Sequence, residues 1–226
     1  MRVLIVTAAD IEIAPLAARL YGTSTSGSRL KTCKHAGHDV DVLTTGVGMV
    51  ATGAWCSRVL AENRYDLALN FGVCGSFDRS LEPGEVVHVV SDRIAELGAE
   101  DDESFLTIQE LKLLGENEFP FTGGQLLNLH PPTNATLNCL SPVNGITVNT
   151  VHGNERSIEA VTQRFRPQVE SMEGAAFMYA CMIHRLAFAQ VRAVSNVVEK
   201  RSREAWKMSE AIHNLGAVAL KILEDA

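Results

Sequence analysis

At 226 residues with 46% hydrophobic side chains, the chain can bury a sizeable core, and with no linker-like break residues 1–226 read as one domain. A formal net charge of −7 leaves no basic face for nucleic acid. Five scattered cysteines, with no Cys-x-x-Cys pair, argue against a disulfide framework and against a zinc site. No stretch approaches the ~20 apolar residues of a membrane span. The opening residues, a lone Arg2, a short apolar run, then Asp10 and Glu12, are too acidic for a signal peptide. A soluble, cytoplasmic protein without a membrane partner is expected.

The short β-branched run Arg2–Thr7 predicts a buried first strand. A helix is expected over Ile11–Tyr21, with Ile13, Leu16 and Leu20 at helical spacing. Lys31–His35 and Val40–Thr45, joined at Ala36-Gly37-His38, read as a hairpin, and a helix should run from the Gly46-Val47-Gly48 turn to about Asn63. Asp66–Phe71 predicts a strand ending in a glycine-bearing turn, Asn70–Ser76, and Glu85–Ile94 the next strand. Residues 95–144 are the least regular, with an acidic run at Glu100–Glu103 read as a solvated loop and one short helix near Thr107–Leu114. Gly145–Val151 predicts a strand, Glu155–Phe165 a helix, Val169–Ser171 a short strand, Glu173–Arg185 a helix and Ala187–Ser195 a strand. The last helix is expected to start near Ser209 as N-cap, with Ile212, Leu215, Ala219 and Ile222 on one face. Strands alternating with helices predict one three-layer α/β domain, and the hairpin makes its central sheet mixed.

Gly46-Val47-Gly48-Met49-Val50-Ala51 fits the Gly-x-Gly-x-x-Ala dinucleotide fingerprint. The acidic partner is misplaced, however, since Asp66 sits at the near end of the next strand. A tight turn that brings backbone close to a small polar ligand accounts for the glycines equally well. Asn70–Ser76 is a second glycine-rich strand end, and two such ends suggest one shared crevice. Glu12, just after the first strand, is either a general base or a first-turn residue satisfying the helix dipole. Glu173, opening an otherwise apolar helix, is either a ribose ligand or a simple N-terminal cap. Asn196 closes an apolar strand, as a purine-binding amide or only as a strand cap. Among seven histidines only His152 stands where it could border the crevice.

These segments resemble the purine nucleoside phosphorylase and nucleosidase superfamily over nearly the whole chain, most closely its hydrolase branch of methylthioadenosine/S-adenosylhomocysteine nucleosidases and futalosine hydrolases. Ala8-Ala9-Asp10-Ile11-Glu12 is similar to that branch's water-activating glutamate segment, and Thr45-Gly46-Val47-Gly48 and Asn70-Phe71-Gly72-Val73-Cys74-Gly75 to its two glycine turns. Ser171-Met172-Glu173 stands where the nucleosidases have Glu-Met-Glu, and Arg192-Ala193-Val194-Ser195-Asn196 where they have Arg-Ala-Ile-Ser-Asp.

The resemblance implies Glu12 and Asn196 as catalytic residues and Glu173, Met172 and Ser171 at the ribose. It implies Gly46, Val47, Val73, Gly75, Val151 and His152 around the base or water. No metal or organic cofactor is implied, and homo-oligomers are. Asn196 in place of the acid points to a 6-oxopurine leaving group, because a carboxylate there would face the 6-oxo group acceptor against acceptor. Glu170–Phe177 and Ser195–Glu199 also resemble the futalosine hydrolase pattern, implying hydrolysis of futalosine to hypoxanthine and dehypoxanthine futalosine on a route to menaquinone. With no arginine inside either glycine turn, and Arg79 the nearest, water is the expected nucleophile. A methylthioadenosine/S-adenosylhomocysteine nucleosidase, a 6-oxopurine nucleoside phosphorylase and a non-catalytic nucleoside-binding protein are the rival readings.

Overall fold

The computed structural model of the chain describes residues 1–22, 28–200 and 206–226. Its first strand, β1 (Arg2–Thr7), is buried along nearly all its length. Val3 and Ile5 enter one apolar cluster, Leu4 and Val6 another. A strand covered on both faces needs no polar alternation, so it reads as a continuous apolar run. After a 3-10 turn (Asp10–Ile13) come α1 (Ala14–Tyr21), the hairpin strands β2 (Leu30–His35) and β3 (His38–Thr44), α2 (Met49–Glu62) and β4 (Leu67–Ser76). Then follow β5 (Val86–Asp92), β6 (Gly98–Asp101), β7 (Ser104–Thr107), β8 (Leu126–Leu127), α3 (Ala135–Cys139) and β9 (Ser141–Thr147). The chain finishes with α4 (Glu155–Phe165), β10 (Val169–Ser171), α5 (Gly174–Ile183), β11 (Phe188–Val197) and α6 (Met208–Glu224).

The central sheet runs β10-β9-β5-β11-β4-β1-β3-β2, with β8 beside β5. Strands β3, β1, β4 and β11 are mutually parallel, so their carboxyl ends open on one edge. β10 pairs in parallel with β9 and antiparallel with the far end of β4, closing that half of the sheet on itself. Leu16 and Leu20 of α1 and Leu215, Ala219 and Ile222 of α6 cover one face. Cys56 and Val59 of α2 and Phe177 and Met178 of α5 cover the other. This is the expected three-layer α/β arrangement around a mixed sheet.

Four expectations need correction. Asn70–Ser76 is not a turn: β4 continues to Ser76, and its glycines have another purpose, given below. β9 ends at Thr147 rather than at 151: the Val148 N–H bond to the Ser171 carbonyl at 3.0 Å is the last rung of its ladder with β10, and Val151 lies in a loop beyond it. Thr107–Leu114 forms no helix. Ser104–Thr107 pairs instead with Gly98–Asp101 as a small hairpin whose tip carries the acidic run. Ser209 is inside α6, whose N-cap position is Lys207, with no side-chain cap; Lys207 N–H instead docks on the Ser195 carbonyl.

Candidate active site

Each element at the carboxyl edge delivers one polar group. The 3-10 turn after β1 folds Glu12 back under the strand end, where it is 9% exposed. Its Oε2 accepts from Thr7 Oγ1 (3.0 Å), Ala8 N (3.1 Å) and Ala9 N (3.0 Å), and its Oε1 from Val73 N (3.1 Å). A side chain held by four donors, one of them on β4, is fixed in the crevice, not a dipole-satisfying surface residue. Val73 thus serves through its backbone.

The Gly46–Gly48 turn has φ of 90° and 95° at its glycines, conformations that other residues rarely adopt. That geometry aims the Gly48 N–H at Glu173 Oε1, 2.9 Å away. The amide a dinucleotide phosphate would use is taken by the chain's own carboxylate, which removes the dinucleotide reading. Glu173 occupies the N-cap position of α5 but makes no side-chain cap, so simple capping is excluded too. Ser171 Oγ accepts from Gly174 N at 3.3 Å instead. Burial holds the Glu173 carboxyl above the usual carboxylate range, with Arg192 pulling it back and Glu12 adding to the rise.

Arg192, in mid-β11, is 1% exposed. It donates from Nη2 to Asn70 Oδ1, and its Nε has no hydrogen-bond partner among the described residues. Gly72 explains the approach. A methyl there would lie 2.5 Å from Arg192 Nη1 and 3.0 Å from Glu12 Oε1; the missing side chain leaves the space that guanidinium and carboxylate both border. In the sequence Arg192 only opens the Arg192–Asn196 motif, with no role of its own. An arginine inside an otherwise apolar strand was the available signal, since a fully buried charge needs partners.

Asn196 is positioned by a bulge. β11 pairs Val194 with Cys74 and Asn196 with Gly75, leaving Ser195 as the extra residue, and a bulge re-aims the side chains that follow it. Asn196 Nδ2 donates to the Val197 carbonyl at 2.9 Å, and Ser195 Oγ lies 2.8 Å from Oδ1. The carbonyl at Val197 fixes which end of the amide carries the nitrogen. One of the two Nδ2 hydrogens is used there and the other remains to donate.

The other expected positions divide. Gly75 is covered by Val198: a methyl on it would sit 2.8 Å from Val198 Cγ2, 3.4 Å from Asn196 Nδ2 and 3.6 Å from Glu170 Cγ. His152 Nδ1 is 2.6 Å from Glu170 Oε2, and its ring meets Phe77 edge-on at 6.0 Å. Val151 packs with the small apolar cluster of Ile146, Val148 and Val161. Met172 is half-buried beside Glu173. Val47, 62% exposed, lies on the rim.

The arginines are placed otherwise than expected. Arg79 is exposed and ion-paired with Glu199 at 3.6 Å, but Arg29 reaches the first glycine turn from the segment before β2. Arg29 Nη1 donates to the Thr45 carbonyl at 3.1 Å. Arg192 reaches the second glycine segment, so two arginines stand where none was expected. Among the described residues no cluster of metal-ligating side chains is present.

A three-layer α/β protein with this mixed sheet, and buried acids around one arginine at its carboxyl edge, has the nucleoside phosphorylase-like architecture. The chain belongs to the phosphorylase superfamily, whose family model matches residues 2–224. It is 29% identical over 187 residues to a futalosine hydrolase from Thermus thermophilus, spanning 81% of this chain and 80% of that one. It is 25% identical over 228 residues to a 5'-methylthioadenosine/S-adenosylhomocysteine nucleosidase from Lysinibacillus sphaericus, 89% of each chain being covered. The fold matches that of a nucleosidase of the latter kind from Colwellia psychrerythraea, solved in complex with adenine. Its TM-score is 0.80 at 21% identity, with 100% of this chain and 95% of that chain covered.

Proposed function

We propose that the protein is an N-glycosyl hydrolase that cleaves futalosine to hypoxanthine and dehypoxanthine futalosine, a step of menaquinone formation. The observation that carries the hydrolytic part is the pair of buried carboxylates, Glu12 and Glu173, near the one buried guanidinium, that of Arg192. Such a pocket repels a phosphate dianion and suits water and a cationic transition state. Arg29, although close, spends a donor on a backbone carbonyl.

In this reading Glu12 takes the proton of the attacking water. Glu173, anchored by Gly48 N–H, accepts from the ribose hydroxyls and lowers the energy of the oxocarbenium-like sugar. Ser171 and Met172 flank it at the ribose. As the glycosidic bond breaks, the remaining Nδ2 hydrogen of Asn196 binds N7 or O6 of the leaving purine. An amide cannot protonate N7, so the site favours a base whose negative charge can rest on a 6-oxo group. The futalosine hydrolase relatives point the same way, while the methylthioadenosine/S-adenosylhomocysteine nucleosidase relatives keep the adenine-releasing alternative in play.

The protein is also proposed to be a homo-oligomer. Val47 and Val50 at the start of α2 and Tyr179 and Ile183 on α5 are exposed, and these two helices pack together. Single-chain mass in light scattering would contradict this.

The test is chromatography of the base released from futalosine, aminofutalosine, methylthioadenosine and inosine, each with and without phosphate. Hypoxanthine from futalosine, independent of phosphate, is the expected result. Adenine release as the main activity, or strict phosphate dependence, would overturn the proposal.

A further inference from the structure

Two arginines away from the carboxyl edge carry charge that no described residue pairs with. Arg93, just after β5, and Arg164, in the last turn of α4, form no ion pair among the described residues. They are set against two aromatic rings instead. Arg164 Cζ lies 4.3 Å from the centre of the Phe105 ring, on β7, and 5.5 Å from that of Phe165, while Arg93 Cζ lies 5.2 Å from Phe165. The contacts alternate ring, guanidinium, ring, guanidinium. All four side chains line one cavity of about 340 Å³, which shares no residue with the candidate active site. A guanidinium over a ring face is held by cation–π attraction, and its N–H groups stay available at its edge in a fork that matches a carboxylate. Arg93 spends Nη2 on the Gly123 carbonyl at 3.1 Å, and Arg164 makes no side-chain hydrogen bond among the described residues. Gly124 brings a further donor alongside. It is buried with a φ of 71°, and a methyl on it would lie 2.9 Å from Arg93 Nη1 and 3.5 Å from Gln109 Nε2. The bare backbone thus lets guanidinium and amide stand side by side.

We infer that this cavity is a second ligand site, for a small aryl monocarboxylate: Arg93, Arg164 and Gln109 hold the carboxylate, and the aryl body lies against Phe105 and Phe165. The site goes beyond the proposed hydrolysis and is independent of it. Desolvation holds both guanidinium groups below the ordinary arginine range, with Glu116 offsetting part of this for Arg93 and Glu110 for Arg164; a bound anion would offset more. Those two acids also line the cavity. Glu110 is turned to its own hairpin, its Oε2 accepting from Thr107 N at 2.7 Å and from Thr107 Oγ1 at 2.8 Å, and Glu116 is exposed. Two positive and two negative groups suit a ligand with one negative charge, placed at the guanidinium edges, and disfavour a phosphate dianion. The same side chains could serve only as a staple between the β6–β7 hairpin and the end of α4. A staple would lower the melting temperature when broken but would show no preference for carboxylates.

The test is calorimetric titration of 2-naphthoate, the uncharged 2-naphthamide and inorganic phosphate into the full chain, as wild type and as Arg164→Gln. Arg164 is exposed, so R164Q should fold, which circular dichroism checks. Wild type should bind 2-naphthoate on the order of tenfold or more tightly than 2-naphthamide, with phosphate weaker than either. R164Q should weaken 2-naphthoate by a similar factor and leave 2-naphthamide within about threefold, since the charge-assisted bonds are lost only to the acid. Saturating hypoxanthine should leave the 2-naphthoate isotherm unchanged. No binding of 2-naphthoate, equal affinity for acid and amide, tighter binding of phosphate, or an isotherm abolished by hypoxanthine would each overturn the inference. So would a folded R164Q that binds 2-naphthoate like wild type, or one that loses acid and amide equally. Should R164Q fail to fold, the wild-type series decides alone.

Discussion

Asp92 links the interior of the sheet to its carboxyl edge. Its Oδ1 accepts from Thr147 Oγ1 (2.9 Å) and Arg93 N (2.8 Å), and its Oδ2 from Gln190 Nε2 (3.0 Å). Thr147 Oγ1 in turn accepts from Ala175 N at 2.7 Å, which fixes the first turn of α5 just beyond Glu173. Complete burial pushes the Asp92 carboxyl up from its ordinary value of 3.8 to about 6, its hydrogen bonds offsetting only part of the rise. Because the folded value lies above the unfolded one, the native state binds the proton more tightly. The ionised group costs folding free energy, nothing below pH ~4 and about 3 kcal/mol once the pH exceeds ~6. Asp92→Asn should therefore melt above wild type at pH 8, with the difference shrinking as the pH falls towards 4. Gln190 Oε1, unpartnered among the described residues, is placed to accept from the new amide once Gln190 turns over. A melting difference that does not change between pH 8 and pH 4 would contradict this assignment. Nothing in the sequence marked Asp92, because its three partners come from positions 93, 147 and 190, brought together only by strand order.

At the scale of elements, the carboxyl end of β4 decides the site. Its glycines look like turn residues in the sequence, yet they lie in a continuous strand. Gly72 makes room for Arg192 and Glu12, and Gly75 for Asn196, Glu170 and Val198. Gly72→Ala should force both charged groups out of position, since contacts of 2.5 and 3.0 Å are shorter than packing allows. A fall in kcat of ~10²-fold or more is expected, with a cost of ~1–3 kcal/mol in unfolding free energy. Unchanged kcat in a stably folded G72A protein would contradict the packing argument. Buried strands and amphipathic helices were legible where one face or two faces of apolar residues repeat, as in Arg2–Thr7, Glu155–Phe165 and the Leu215–Ile222 stripe. Glu12, Glu173 and Asn196 could be picked out because each is a polar residue at an element end. The β6–β7 hairpin was not legible, because pairing between short polar strands leaves no periodic trace. Arg192 was missed as a site residue because it sits inside a strand, where only the neighbouring strands reveal what faces it.

Across the whole molecule, four parallel strands present their carboxyl ends together, and the closure of β10 onto β4 brings Glu170 and Glu173 to the same edge. Two buried acids, one guanidinium and one amide are thereby held by elements that also form the core, so the site is preorganised by the fold. Val47 lies in the same turn as Gly48, which holds Glu173, so the proposed oligomer contact would border the ribose end of the site. In the proposed function this edge activates water against the sugar of a 6-oxopurine nucleoside. Its most direct test is futalosine turnover in heavy-oxygen water with phosphate also present, followed by mass spectrometry of both products. Free hypoxanthine and a sugar product carrying the oxygen label at its anomeric carbon are expected. An unlabelled sugar phosphate, or no hypoxanthine while adenine nucleosides are cleaved, would contradict it.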